Sequence, residues 1–246
     1  MVKNKIVVSD HLNVLVRYRA QMDEELLSVL NYWIKYTVDE EGDGFFGSVS
    51  NNNVPDKTAP KGIVLNSRIL WAFSAGFLYS KDQNYLRIAD RAFQYITRHF
   101  IDTESGGVYW SVDHKGKMLD GKKQIYGLAF CIYGMSEYYK ATHNQKALDV
   151  SKELYHLIEK YSHDKNIGGY LEAFSKDWQP ITDLRLSEKD DNEKITTNTH
   201  LHVVEAYANL YTIWPDEILG ARISALLKIF SDHFIRKDNY HLNLFL

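Results

Sequence analysis

Three hydrogen-bonding side chains share one helical stripe in the stretch Lys194–Tyr207. Asn198, His202 and Glu205 stand at i, i+4 and i+7, so a helix beginning here presents all three on one face. An amide, an imidazole and a carboxylate flanked by Val and Ala do not simply pack against an apolar core. They face a polar cavity, where an imidazole can hold a ligand or move a proton. His200 and His202 look like a metal-ligating pair. At i, i+2 on a helix, however, they point about 200° apart and do not chelate one ion. No metal is expected.

Two further candidates lie upstream. Leu65–Trp71 places the Arg68 guanidinium in the first turns of a helix, with Trp71 one turn on. A planar fork of donors suits a sugar oxygen or an enolate, and a structural ion pair with Asp or Glu fits the same residues equally well. Tyr126, with Phe130 and Tyr133 at i+4 and i+7, opens another helix; the spacing reads first as core aromatics. No Gly-rich phosphate loop, Gly-x-Ser-x-Gly elbow or cysteine pair occurs, so nucleotide binding and acyl transfer have no foothold.

The elements that carry these residues are organised by an internal repeat. A Gly-rich turn with aromatic neighbours recurs at Asp39–Gly47, Asp102–Trp110 and Asp164–Tyr170. Its marker glycines Gly44, Gly107 and Gly169 are spaced by 63 and 62 residues. Between turns, an apolar, aromatic-rich helix (67–78, 126–139 and 198–211) precedes a one-sided amphipathic helix (85–100, 146–161 and 217–234). In the helix 85–100, Leu86, Ala89, Phe93, Ile96 and Phe100 recur at three- and four-residue steps. The segment 14–35 predicts a leading helix. The alternating runs 107–116 and 169–177 predict small β-hairpins.

Stacked helix pairs with an inner and an outer layer predict an all-α fold, an incomplete (α/α)6 toroid with short β-hairpins between pairs, as one domain over residues 1–246. The repeat alignment brings Tyr126 to the same cavity mouth as the polar stripe. Six pairs at this repeat length need on the order of 400 residues. About seven helices and a final strand-like segment, 238–246, therefore predict a shortened chain. Its open end is expected to expose apolar residues of 225–230 and to favour self-association.

Composition fits a soluble protein. A net charge of −3 with interspersed signs offers no field for nucleic acid or an anionic membrane, and the lone Cys131 suits a reducing cytoplasm. Aromatic residues make up 13% of the chain, enough to fill helical cores and to build sugar-stacking platforms.

Four stretches together resemble the N-acylglucosamine 2-epimerase family and its cellobiose 2-epimerases: Lys61–Phe73, Gly106–Trp110, Gln124–Tyr133 and Thr197–Tyr207. The resemblance runs from about Val29 to the end of the chain. It implies an (α/α)6 barrel and reversible C2 epimerisation of a reducing-end glucose through an enediolate, without a metal or redox cofactor. It further implies that Arg68 stabilises the developing oxyanion and that His202 assists ring opening. Tyr126 and Asn198 would bind the sugar, with Trp71 and Glu205 as further substrate-binding candidates. The family's acid/base histidines would lie beyond Leu246, so this chain is expected to be impaired. Leu128 stands where the family usually shows Gln. A sugar-binding module without turnover and an aldose–ketose isomerase are the alternative readings.

Overall fold

The computed structural model describes residues 2–246, with side chains from Asn13 onward. It opens on α1 (Val2–Thr37) and three short strands, β1 (Ser48–Val49), β2 (Pro55–Asp56) and β3 (Lys61–Gly62). The helix pair α2 (Ile63–Ser80) and α3 (Gln83–His99) follows. Strands β4 (Ser111–Val112), β5 (Met118–Asp120) and β6 (Lys123–Gln124) lead to α4 (Ile125–Thr142) and α5 (Gln145–Tyr161). Then β7 (Ala173–Phe174) precedes α6 (Thr197–Tyr211) and α7 (Glu217–Ile229), which ends in a π-helical turn, Phe230–Phe234.

The two helix types sort into two layers. α2, α4 and α6 pack side by side, with α4 in the middle, and each carries its following helix behind it. The α2 and α4 backbones approach so closely that a Cβ at Gly134 would sit 2.7 Å from the Ser67 carbonyl oxygen. Outer helices bury one stripe; on α3 it includes Ile88, Ala89, Ala92, Phe93 and Ile96. Each large apolar side chain so buried contributes roughly 1.5–3 kcal/mol. The outer helices also carry side-chain caps: Asp82, Asn144 and Asp216 accept from backbone N–H groups at the starts of α3, α5 and α7.

The repeat survives as hydrogen-bonded turns. Isolated bridges join Val38 to Phe45, Ile101 to Val108, His163 to Tyr170 and Ile235 to Leu242, so the strand-like segment 238–246 lies in a fourth turn of the same kind. Gly44 takes φ +65°, and a Cβ there would meet the Tyr95 ring at 2.5 Å, so only glycine fits. After each of the last three turns the chain pairs back onto the segment before the preceding inner helix: β4 on β3, β7 on β6, and Phe245 on Thr196.

Three expectations are corrected. The leading helix starts at Val2, twelve residues before the apolar pattern begins. β7 pairs with β6 across the repeat rather than within a hairpin of its own, whereas β4 and β5 do form one. The segment 225–230 meets the expectation only in part: Ala225 and Leu227 are exposed, Leu227 at 57%, whereas Leu226 and Ile229 are buried because α7 turns that stripe inward. A longer exposed apolar stripe lies on α1, formed by Leu15, Tyr18, Met22, Leu26 and Val29. No helix among the described residues is long and apolar enough to cross a membrane.

Candidate functional site

The beginnings of the three inner helices hold the site, and their backbone fixes them in a common way. The first N–H of each donates to a carbonyl of the following repeat: Ile63 to Trp110, Ile125 to Glu172 and Thr197 to Leu244. Neither α2 nor α4 has a side-chain cap, so these cross-repeat bonds satisfy N–H groups that a helix leaves open. For α6, Thr196 adds a cap by accepting from the Thr199 N–H.

Buried ion pairs brace the first two starts. Lys61 just before α2 reaches Asp39 at 3.0 Å, and Lys123 just before α4 reaches Asp102 at 2.6 Å. Burial alone would raise the Asp102 carboxyl. The Lys123 ammonium and the Ser105 and Glu104 N–H groups outweigh it and hold Asp102 below the usual carboxylate range. At the third start the equivalent position is the apolar Ile195, which forms no ion pair.

On this frame Arg68, Tyr126, Phe130 and His202 come together from α2, α4 and α6. The Arg68 guanidinium lies 4.4 Å from the Phe130 ring centre, and its Nη2 donates to the Tyr126 hydroxyl at 3.4 Å. The His202 ring meets Phe130 at 4.4 Å and stands edge-on to Tyr126 at 4.9 Å. Its Nδ1 is 2.7 Å from Glu205 Oε2. Burial, with a smaller push from Glu205, raises the Tyr126 hydroxyl above its ordinary value, while Arg68 and Asn198 pull against that. The phenol therefore stays protonated at neutral pH and serves as a hydrogen-bonding group.

The structure settles several readings of these residues. Arg68 is exposed and has no carboxylate within 4.0 Å among the described residues, so the ion-pair reading falls. Asn198, His202 and Glu205 do share a face, but Asn198 sits beside Tyr126 while Glu205 is bonded to His202. Trp71 stacks on Tyr133 at 5.3 Å and 15°, one turn further along α2 and α4 than Arg68 and Phe130. Leu128 is fully buried in the core. His200 is structural: Nδ1 faces the Thr196 carbonyl and Nε2 accepts from the Tyr170 N–H. Burial lowers its pKa to about 4, so it stays neutral. No group of three or more metal-binding side chains occurs among the described residues.

Two features were not anticipated. Phe130 is buried, as the core reading expects, and is also the platform under both Arg68 and His202; its i+4 spacing from Tyr126 is the only sequence signal of that second role. The segment 182–194 folds into a loop closed by Asn192, which accepts from the Leu184 N–H and donates to the Thr182 carbonyl. Lys122 and Gln124 tie the loop to β6 by donating to the Arg185 carbonyl at 2.9 and 2.7 Å. Between this loop and the start of α6 lies a cavity of about 290 Å³, lined among others by Glu172, Arg185, Asp190, Thr196, Asn198 and Phe245. Asn198 thus stands between the cavity and the aromatic cluster.

The model of the N-acylglucosamine 2-epimerase (GlcNAc 2-epimerase) family matches residues 44–245. A cellobiose 2-epimerase of Bacteroides fragilis is 43% identical over 228 residues, covering 92% of this chain and 58% of its own length. The corresponding enzyme of Dictyoglomus turgidum is 37% identical, covering 88% and 55%. The solved cellobiose 2-epimerase of Bacillus thermoamylovorans superposes with a TM-score of 0.88 at 38% identity, over 94% of this chain and 60% of that one. The chain therefore spans just over half the length of the curated relatives it matches. With the paired inner and outer helices and the matched residues in hand, the chain belongs to the N-acylglucosamine 2-epimerase family and has the fold of its α/α toroids.

Proposed function

We propose that this chain supplies one wall of a sugar 2-epimerase site acting on the reducing-end glucose of a disaccharide such as cellobiose. The single observation that carries the reading is the convergence of Arg68, Tyr126 and His202 over Phe130, from three successive inner helices. The relatives' names supply the substrate class. In this reading a base removes the C2 proton of the open-chain sugar, the electron pair moves onto the carbonyl oxygen, and a proton returns to C2 from the other face. Arg68 stabilises the oxyanion of that enediolate, with a charge-assisted bond stronger than a neutral one. Tyr126 and Asn198 hold hydroxyls. His202, oriented by Glu205, assists ring opening.

Epimerisation through C2 needs groups on both faces of the sugar, and His202 is the one imidazole in contact with this aromatic cluster among the described residues. That favours a second reading, sugar binding without turnover. Incubation of the 246-residue protein with cellobiose in heavy water separates the two. Binding by calorimetry with deuterium incorporated at C2 establishes the epimerase reading for this chain alone. Binding without exchange establishes the second, and no binding of any sugar removes both. Ketose among the products would instead identify an isomerase.

A further inference from the structure

Glu172 breaks the repeat. The residues whose carbonyls receive the first N–H of each inner helix are Trp110, Glu172 and Leu244, and only the middle one is charged. Its side chain is nonetheless buried, at 2% exposure. Among the described residues no cation pairs with it; its carboxylate is held by the Thr196 N–H at 2.8 Å and by the Thr199 hydroxyl. A buried carboxylate without a counter-charge is costly, and the neighbouring repeats place no charge there: Trp110 is half-buried and Leu244 exposed.

All of its polar groups point to two places. The backbone carbonyl accepts from Ile125, the residue before Tyr126. The backbone N–H donates to the Lys194 carbonyl, and both carboxylate oxygens bind the first turn of α6, which carries Asn198 and His202. Glu172 is therefore the junction between the two inner helices whose side chains form the wall, and it lines the cavity that Asn198 also borders.

We propose that Glu172 is a positioning residue that sets the spacing between Tyr126 on α4 and the Asn198–His202 face of α6. The proposal rests on the reading of that face as a ligand site. Burial raises the carboxyl to about 7, against the bonds from Thr199 and Thr196. The charged groups around it are Arg185, Lys189, Asp190, Asp191 and Glu193 on the cavity loop, and Lys123 before α4, which is already paired with Asp102. His200, on the same turn, titrates lower, near 4.

The test uses the full chain with Glu172→Gln and Glu172→Leu. Leu is the residue at the equivalent position of the next repeat and removes both hydrogen-bonding oxygens; the dispersion of its amide spectrum checks that the variant folds. Without sugar, the backbone amide resonances of Tyr126, Asn198 and Thr199 are followed by NMR from pH 5 to 9. In the unsubstituted protein, Asn198 and Thr199 show an inflection near pH 7 that Glu172→Gln abolishes while keeping the resonances close to their low-pH positions. Glu172→Leu displaces Tyr126 and Asn198 together and weakens cellobiose binding about tenfold, and Glu172→Gln restores most of that affinity. A folded Glu172→Leu protein with unmoved Tyr126 and Asn198 amides overturns the proposal, as does unchanged cellobiose affinity in a protein that binds the sugar. If the unsubstituted chain binds no sugar, the functional reading fails and the amide resonances alone decide the positioning role.

Discussion

Glu205 Oε2 lies 2.7 Å from His202 Nδ1 on the same helix, and this pair fixes the imidazole's chemistry. An ionised carboxylate only accepts, so Nδ1 carries the proton and Nε2 is the nitrogen open to a ligand. The Glu205 side chain is 51% exposed, and such a surface pair adds little to folding. Glu205→Ala is expected to leave the melting temperature within about 2 °C, a stability change of under about 0.5 kcal/mol. Cellobiose affinity is expected to fall roughly fivefold, near 1 kcal/mol, because the ring loses its orientation. Calorimetric titration paired with thermal denaturation checks both halves.

Arg68 offers a sharper separation of stability from binding. It is exposed, stacks on Phe130 and has no carboxylate partner among the described residues. Arg68→Ala should change folding stability by no more than about 0.5 kcal/mol. It should weaken sugar binding at least tenfold, roughly 1.4 kcal/mol, and Arg68→Lys should not rescue it, since an ammonium reproduces neither the fork nor the stacking. A large loss of stability in Arg68→Ala would show a structural arginine instead.

The repeat was legible because it rests on glycine turns and helix periodicity, both local features. The same locality explains the omissions. Gly169-Tyr170-Leu171-Glu172-Ala173-Phe174 alternates like a hairpin strand, and only the pairing of β7 with β6 shows that Glu172 is buried between repeats. Phe130 looked like core because an aromatic at i+4 is consistent with either role, and the cation above it comes from a helix 58 residues away from Tyr126 by Arg68's position. The start of α1 at Val2 was hidden because twelve of its residues precede any apolar stripe.

The Lys123–Asp102 pair is completely buried on both sides, so breaking one partner strands a charge. Lys123→Ala is expected to cost about 3–5 kcal/mol, while Lys123→Ile combined with Asp102→Asn costs far less, since Ile195 already occupies the equivalent place in the third repeat. The folded Asp102 titrates below its ordinary value of 3.8. Its contribution is therefore fully present above that value and disappears as pH falls through the lower folded one. Urea denaturation between pH 2 and 7 should show the single variants losing this acid-dependent part.

The apolar stripe on α1 predicts association. Leu15 and Met22 are 64% and 65% exposed, and Tyr18, Leu26 and Val29 continue the same face. An apolar stripe of this length marks an interaction surface, and the expectation put to the test is that a second copy of the chain covers it. Sedimentation should show concentration-dependent oligomers for the unsubstituted chain and a monomer for Leu15→Glu/Met22→Lys. A monomer at high concentration without those substitutions would remove the prediction.

Glu172 titrates in the opposite sense from Asp102, and stability should record it. Its folded carboxyl is raised from 4.5 to about 7, so between those values the folded protein holds a proton that the unfolded chain has released. The ionised form is the strained one. Stability contributed by this site is greatest at pH 4.5 and below, declines as pH rises toward 7, and levels off above it. Glu172→Gln carries the neutral amide at every pH and keeps an acceptor for the Thr196 N–H. Relative to the unsubstituted protein, it should gain melting temperature steadily from pH 5 to pH 7 and hold that gain from pH 8 to pH 9. Thermal denaturation of both proteins across this range checks the slope. A constant difference between them would mean that Glu172 does not change charge there, and a falling difference would mean that its carboxylate is stabilised by a cation.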